Sequence, residues 1–446
     1  MLMKMTIKNF RSYKDENTIL LTSTSKINRH PEHERAIGRI NVLKFVGIYG
    51  DNASGKTNIL KAANFIKMFV GYNVLTETDF AFKENEGIPS FIEMVFSEEG
   101  FIYQYGLEFI KKTVPFPSFA ITNEYLNIVG TKEIHGKTVY SLKNGLNEAM
   151  MNKNDKPIFA IFLNGYKQLN RLMRNHSFLN YINGADKAIR GSDLYNHLSR
   201  AYSFFKNDLV ILGAASTNMV YIQDKDLSRI TAYTQKFDPS IENIELIRIP
   251  NEDINKMIPG PVIQDIIAHL ERAKGLIVMV TYENNYLFFS KDPETTYKCE
   301  TLRLKHHYLK TWFNFLDESE GTKKFIILMS YFSNKNAKKT YCVDELERSM
   351  HPSSSEYILR FFDQETKKQD TQFIFTTHYP AFMKTSLRRD EIYFTEKDMY
   401  GVSAIYPLTD FNTTTDSNLP AMFLKGVFRK IPENGKKAFE GDAPAD

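Results

Sequence analysis

Hydrophobic and polar positions change rhythm several times along the chain. Residues 5–10 and 17–21 read as strands that return on each other as a hairpin, and the polar stretch 22–39 reads as a loop. An apolar strand, 43–49, then runs into a glycine-rich turn. A helix follows, with Ile59, Leu60, Ala63, Ile66 and Phe69 on one side. Between 88 and 143 short β-rich runs recur, at 91–96, 101–109, 121–129 and 138–142, separated by turn signals. They predict an antiparallel sheet. Residues 155–200 look mostly helical, with Ile158, Phe159, Phe162 and Leu163 clustered. After 208–212 the pattern weakens, interrupted by Pro239, Pro250, Pro259 and Pro261. A helix over 262–273, ended by Gly275, and a hairpin turning at Asn284-Asn285 follow.

The last third alternates again: helix 323–332, strand 340–343, helix 354–362, strand 372–376. Strands alternating with helices on both sides of a long interruption predict one α/β fold split by an insertion. The expected divisions are an N-terminal lobe with its β subdomain at 1–150, a mainly helical insertion at 151–300, a C-terminal lobe at 301–432 and a disordered tail at 433–446. No heptad pattern is sustained, which argues against a long coiled coil.

Composition adds little. The 446 residues are 42% hydrophobic and carry a net charge of +4, which permits a nucleic-acid surface without demanding one. Two cysteines, Cys299 and Cys342, make no disulfide framework and sit in apolar runs, so burial is expected. The sequence shows no leader pattern and no run long enough to span a bilayer, so a cytoplasmic protein with no membrane partner is expected.

The turn at Gly50-Asp51-Asn52-Ala53-Ser54-Gly55-Lys56-Thr57 reads G-x-x-x-x-G-K-T between a strand and a helix, the context a phosphate-binding loop requires. Gly50 and Gly55 let backbone N–H groups turn inward, and the helix start adds partial positive charge. Lys56 is expected on the β- and γ-phosphates of ATP, and Thr57 on Mg²⁺. Asp344-Glu345 ends the strand 340–343, where ligands bind in open α/β sheets. Alone, the pair reads equally well as a solvated acidic turn. Downstream of a phosphate loop, Asp344 becomes the candidate for Mg²⁺ and Glu345 the catalytic base for an attacking water. His378 closes the next strand beside the same crevice and is placed to contact the γ-phosphate. Ser319-Glu320-Gly321 precedes a helix; it suits an ordinary cap or a second phosphate cradle.

In this order the motifs resemble those of ABC-type ATPases, including SMC-like recombination and repair proteins. Residues 7–13, 48–58, 318–322 and 344–352 together look like the bacterial branch described as AAA ATPases, with members in abortive-infection and phage-defence operons. The resemblance implies a P-loop NTPase fold with an ABC-type head. It implies that Asn58 and Arg11 lie near the nucleotide, that Ser319, Glu320 and Gly321 contact ATP held by a second subunit, that Ser349 and His351 belong to the D-loop at the dimer seam, and that His378 is the switch histidine. Two copies would sandwich two ATP molecules. The expected function is a nucleotide-gated ATPase sensor in anti-phage defence. Its partners are itself, a separate effector such as a TOPRIM-type nuclease, and a phage protein or nucleic acid as trigger. Only 68 residues follow His378, small for a fused nuclease domain. The alternative is a RecF/SMC-like repair ATPase that binds DNA through Lys323-Lys324, residues 335–339 or Arg388-Arg389. No glutamine stands at a recognisable Q-loop position; Gln104 lies in a β-rich stretch.

Overall fold

A computed structural model describes residues 1–24, 27, 29–76, 80–112, 118–129, 137–142, 145–146, 153, 156–173, 176–184, 192–213, 221–222, 224–272, 277–282, 285–332, 338–366, 369–414 and 417–430. The predicted turn at Asn284, the stop at Gly275, residues 335–337 and the tail 433–446 lie outside them. The chain forms two compact units. One comprises Met1–Ala214, Ala337–Glu347 and Thr366–Asp446; the other comprises Ala215–Asn336 and Arg348–Glu365.

Among the described residues, the first unit is built on a six-stranded sheet. Its order is Leu209–Leu212, Thr340–Val343, Gln372–Thr377, Phe45–Gly50, Ile392–Lys397, Ser403–Pro407. Five strands are parallel and the last is antiparallel. Every residue of three of the four inner strands, TYCV, QFIFTT and FVGIYG, is buried. Continuous apolar runs of this kind are what a parallel sheet covered on both faces selects. The helix Lys56–Tyr72 shares one core with Val46, Ile48 and Ile374 of this sheet and with Met94, Phe96 and Leu107 of a seven-stranded antiparallel sheet. Its Phe65 stacks on Phe109 at 4.8 Å and meets Phe119 at 5.7 Å. Gln372 joins three segments: its side chain accepts from Leu2 N–H and donates to the Leu2 and Leu43 carbonyls.

The second unit holds an antiparallel sheet ordered Ile241–Ile249, Thr296–His306, Asn285–Asp292, Ile277–Tyr282, with Trp312–Asn314 added to Thr296–His306. The predicted hairpin is therefore half of a larger sheet. Pro239 and Pro250 bracket the strand Ile241–Ile249, Pro250 caps the helix Asn251–Met257, and Pro261 sits in the first turn of Gly260–Arg272. The prolines punctuate elements rather than interrupt one, as expected for a residue tolerated at strand ends and first helical turns. Ile254, Ile263, Ile266 and Leu270 pack with Leu287, Phe289 and Cys299. The helices Asp224–Phe237 and Glu320–Phe332 meet through Phe237 and Phe325, stacked at 4.2 Å. No described helix is long and apolar enough to cross a membrane.

Candidate active site

The turn after Phe45–Gly50 is shaped by two left-handed residues, Ala53 (φ 61°) and Gly55 (φ 116°). Glycine is also required by space. A Cβ on Gly50 would lie 2.4 Å from Thr395 Oγ1, and one on Gly55 would lie 2.6 Å from Ser403 Oγ. The Ser54 hydroxyl meets Thr395 Oγ1 at 2.6 Å. Asp51 is exposed and paired with Arg429 at 3.1 Å.

Lys56 is buried, and its ammonium donates to the carbonyls of Gly50 (2.7 Å) and Asp51 (2.8 Å) and lies 3.4 Å from His378 Nδ1. Burial pulls its pKa down to about 8, against the opposing pull of Glu347, Asp344, Glu345 and Asp51. Thr57 Oγ1 donates to Asp344 Oδ1 at 3.3 Å. The Thr376 hydroxyl donates to that same oxygen at 2.6 Å and accepts from Glu345 N–H at 2.7 Å. Glu345 itself has φ 47°, unusual for a residue with a side chain. A cleft of about 260 Å³ is lined by residues 52–58, Glu345, His378 and Lys397. Lys56, Thr57, Asp344, Glu345 and His378, far apart in sequence, thus meet at the ends of adjacent parallel strands. Thr57 and Asp344 offer hydroxyl and carboxylate oxygens within 3.3 Å, the donor type Mg²⁺ selects.

Arg11 forms the tip of a tight turn closed by reciprocal Phe10–Tyr13 backbone bonds of 2.9 Å. The turn lies against the phosphate loop: Asn58 donates to Ser12 Oγ at 2.8 Å, and Tyr13 OH donates to the Gly55 carbonyl at 3.3 Å.

Ser319, Glu320 and Gly321 lie in the second unit. Ser319 Oγ accepts from Thr322 N–H at 3.1 Å and so caps the helix Glu320–Phe332. The Thr322 hydroxyl in turn donates to Asp238 at 3.0 Å. Glu320 pairs with Lys323 at 2.6 Å. Gly321 is buried, and a Cβ there would stand 2.5 Å from the Ser349 carbonyl, so this motif and the Ser349 turn (φ 63°) are in close contact. His351 is exposed, at the start of the helix Pro352–Thr366.

Glu347 was not foreseen. One carboxylate oxygen accepts from His378 N–H; the other is buried and, among the described residues, has no hydrogen-bond partner. Its only signal was a third acid two residues past Glu345. Gln104 is engaged in the antiparallel sheet, donating to Glu93 and accepting from Asn127. Of the basic clusters considered for DNA, Arg388 is a correction: it is fully buried, held by Asp390 and Glu34 and by the carbonyls of Ile27 and Arg29. Lys323 is bound to Glu320 and to the Leu316 carbonyl, and Lys339 to Asp208.

A family profile described as "AAA domain, putative AbiEii toxin, Type IV TA system" matches residues 45–384. The chain belongs to this family. The match spans both halves of the site, from the phosphate loop to His378, and fits a member of the AAA ATPases with an ABC-type, SMC-like arrangement of motifs. Among curated proteins none matches the chain. Solved structures similar to this AAA-family chain include an SMC head bound to the C-terminal winged-helix domain of ScpA (14% identity, 91% of this chain and 97% of that one, TM-score 0.44). Others are the SMC head domain from Thermotoga maritima (17%, 91% and 98%, 0.37) and the Smc head with an extended coiled coil, bound to the C-terminal domain of ScpA, derived from Pyrococcus furiosus (14%, 96% and 99%, 0.41).

Proposed function

We propose that this protein binds and hydrolyses ATP and uses the nucleotide to gate its own association. The observation that carries the reading is the convergence of Lys56, Thr57, Asp344, Glu345 and His378 on one cleft, with Thr57 3.3 Å from Asp344 and Lys56 3.4 Å from His378. Loop N–H groups of residues 51–57 and Lys56 hold the β- and γ-phosphates. Thr57 and Asp344 hold Mg²⁺, which when bound neutralises phosphate charge. Glu345 accepts a proton from the attacking water, and His378 contacts the γ-phosphate, its main chain steadied by Glu347. Ser319, Glu320 and Gly321, beside Ser349, serve the nucleotide of a second copy, so ATP joins two chains and hydrolysis releases them.

In the cell, the ATPase acts as a sensor in anti-phage defence and delegates damage to a separate effector, such as a TOPRIM-type nuclease. A phage protein or nucleic acid is the trigger. Family membership supports this reading.

Light scattering on Glu345→Gln tests the gate. With ATP and Mg²⁺ the mass should double, because the variant binds but stalls before hydrolysis, while wild type returns to its starting mass as ATP is consumed. A mass indifferent to ATP in both proteins would overturn it.

A further inference from the structure

The cleft contains a second lysine that the motifs do not assign. Lys397 ends the strand Ile392–Lys397, next to the phosphate-loop strand, with Thr395 registered opposite Gly50. The Thr395 hydroxyl bonds the Tyr49 carbonyl (3.2 Å) and Ser54 Oγ (2.6 Å), so its side chain faces the loop. Side chains two apart on a strand share a face, and Lys397 therefore leaves the strand toward the loop as well. Glu396, between them, accepts from Lys430 N–H. Lys397 pairs in register with Ser403, whose hydroxyl lies beneath Gly55 and donates to Ser12.

The position is fixed, yet the cation is uncommitted. Lys397 is exposed and, among the described residues, has no ion-pair partner, although Asp398 is its neighbour. The Asp398 carboxylate is taken up by its own turn, accepting from Tyr400 and Val402 N–H groups. The hydrolytic residues reach the cleft from the other side of the phosphate-loop strand, on the strands Gln372–Thr377 and Thr340–Val343. The γ-phosphate must face them. A cation arriving from the opposite neighbour meets the other end of the polyphosphate.

We propose that Lys397 binds the α-phosphate end of a nucleoside 5′-phosphate in this cleft, so that it sets affinity for tri- and diphosphates alike and takes no part in cleavage. This rests on the cleft being the nucleotide site. The test is the dissociation constant of wild type, Lys397→Met and Lys397→Arg, in the full chain, for ATP–Mg²⁺ and for ADP–Mg²⁺, with Lys256→Ala as an exposed lysine in the other unit. Thermal melts verify that each variant folds. Lys397→Met should weaken ATP and ADP equally, each about tenfold, the scale of one charge-assisted phosphate contact. Lys397→Arg should stay within about twofold of wild type, because an arginine keeps the charge. Raised salt should shrink the Lys397→Met effect, as the group is exposed. Unchanged affinities in Lys397→Met, with wild type binding ATP normally, would overturn the assignment alone. So would a loss for ATP that spares ADP, which would put Lys397 on the γ-phosphate. Wild type that binds neither nucleotide would overturn the nucleotide reading of the cleft and this assignment with it.

Discussion

Thr376 shows how much of the site depends on a single hydroxyl. It accepts from Glu345 N–H and donates to Asp344, and it is fully buried. Glu345 is held at φ 47°, in the left-handed region that costs an L-residue roughly 1–2 kcal/mol. The Thr376 bond helps to keep it there. Thr376→Val conserves shape and removes both bonds, leaving the Glu345 N–H without its partner. Stability should fall by about 1–3 kcal/mol, read from urea unfolding. Turnover should fall more than ATP affinity, because the damage lies at the carboxylate proposed to activate water and not at the phosphate loop. An unaltered turnover would show that Glu345 is positioned by other means. Of these residues, Lys56, Thr57, Asp344 and Glu345 were legible in sequence, because each belongs to a short motif with its own chemistry. Thr376, Glu347 and Lys397 were not, because a threonine in a strand, an acid in a turn and an exposed lysine acquire their meaning from neighbours distant along the chain.

Among elements, the helix Glu320–Phe332 and the turn at Ser349 are closely fitted. The gap at Gly321 admits a hydrogen and not a methyl group, since a Cβ would approach the Ser349 carbonyl to 2.5 Å. Gly321→Ala must displace one backbone or the other. Its expected cost is about 1–3 kcal/mol, the usual range for overpacking. In the Glu345→Gln background it should also abolish the ATP-dependent doubling of mass while leaving ATP binding to the monomer intact. Doubling that persists would remove this pair from the interface. The helix Lys56–Tyr72 was readable ahead of the structure from its periodicity, and the strands Thr340–Val343 and Gln372–Thr377 and the hairpin in the second unit from apolar runs bounded by turn signals. The strand Ile241–Ile249 was not. Glu242, Asn243, Glu245 and Arg248 obscure its alternation, and what makes it a strand is pairing with Thr296–His306. The edge strand Ser403–Pro407 escaped because its local signal is short and its partner supplies the order.

For the molecule as a whole, the two cysteines report on different units. Cys342 lies in the phosphate-site sheet and Cys299 in the antiparallel sheet of the second unit. Both are buried, and burial pushes each thiol up to about 12. Because the folded pKa is raised, the thiolate is scarce in the native state across the physiological range. Direct labelling of the folded chain at neutral pH should therefore be negligible beside that of a free thiol. What labelling occurs should follow opening of the fold. ATP–Mg²⁺ at 100 times its dissociation constant should slow Cys342 labelling by up to about 100-fold where labelling follows full opening of the site, and Cys299 labelling less. Mass spectrometry of peptides reads the two rates separately. Equal protection of both thiols would mean that the units open as one.

The phosphate-loop strand is made early and completed late. Its register partner Thr395 is 346 residues from Tyr49, and its other neighbour, Gln372–Thr377, is also distant. At about 5–20 residues per second, a ribosome needs roughly 20–70 s to supply them. For that interval the sequence FVGIYG, whose residues are all buried in the finished sheet, waits with both edges unpaired. The nascent chain is therefore expected to depend on chaperones through most of its synthesis. It should also remain inert toward ATP until the strand Ile392–Lys397 has emerged.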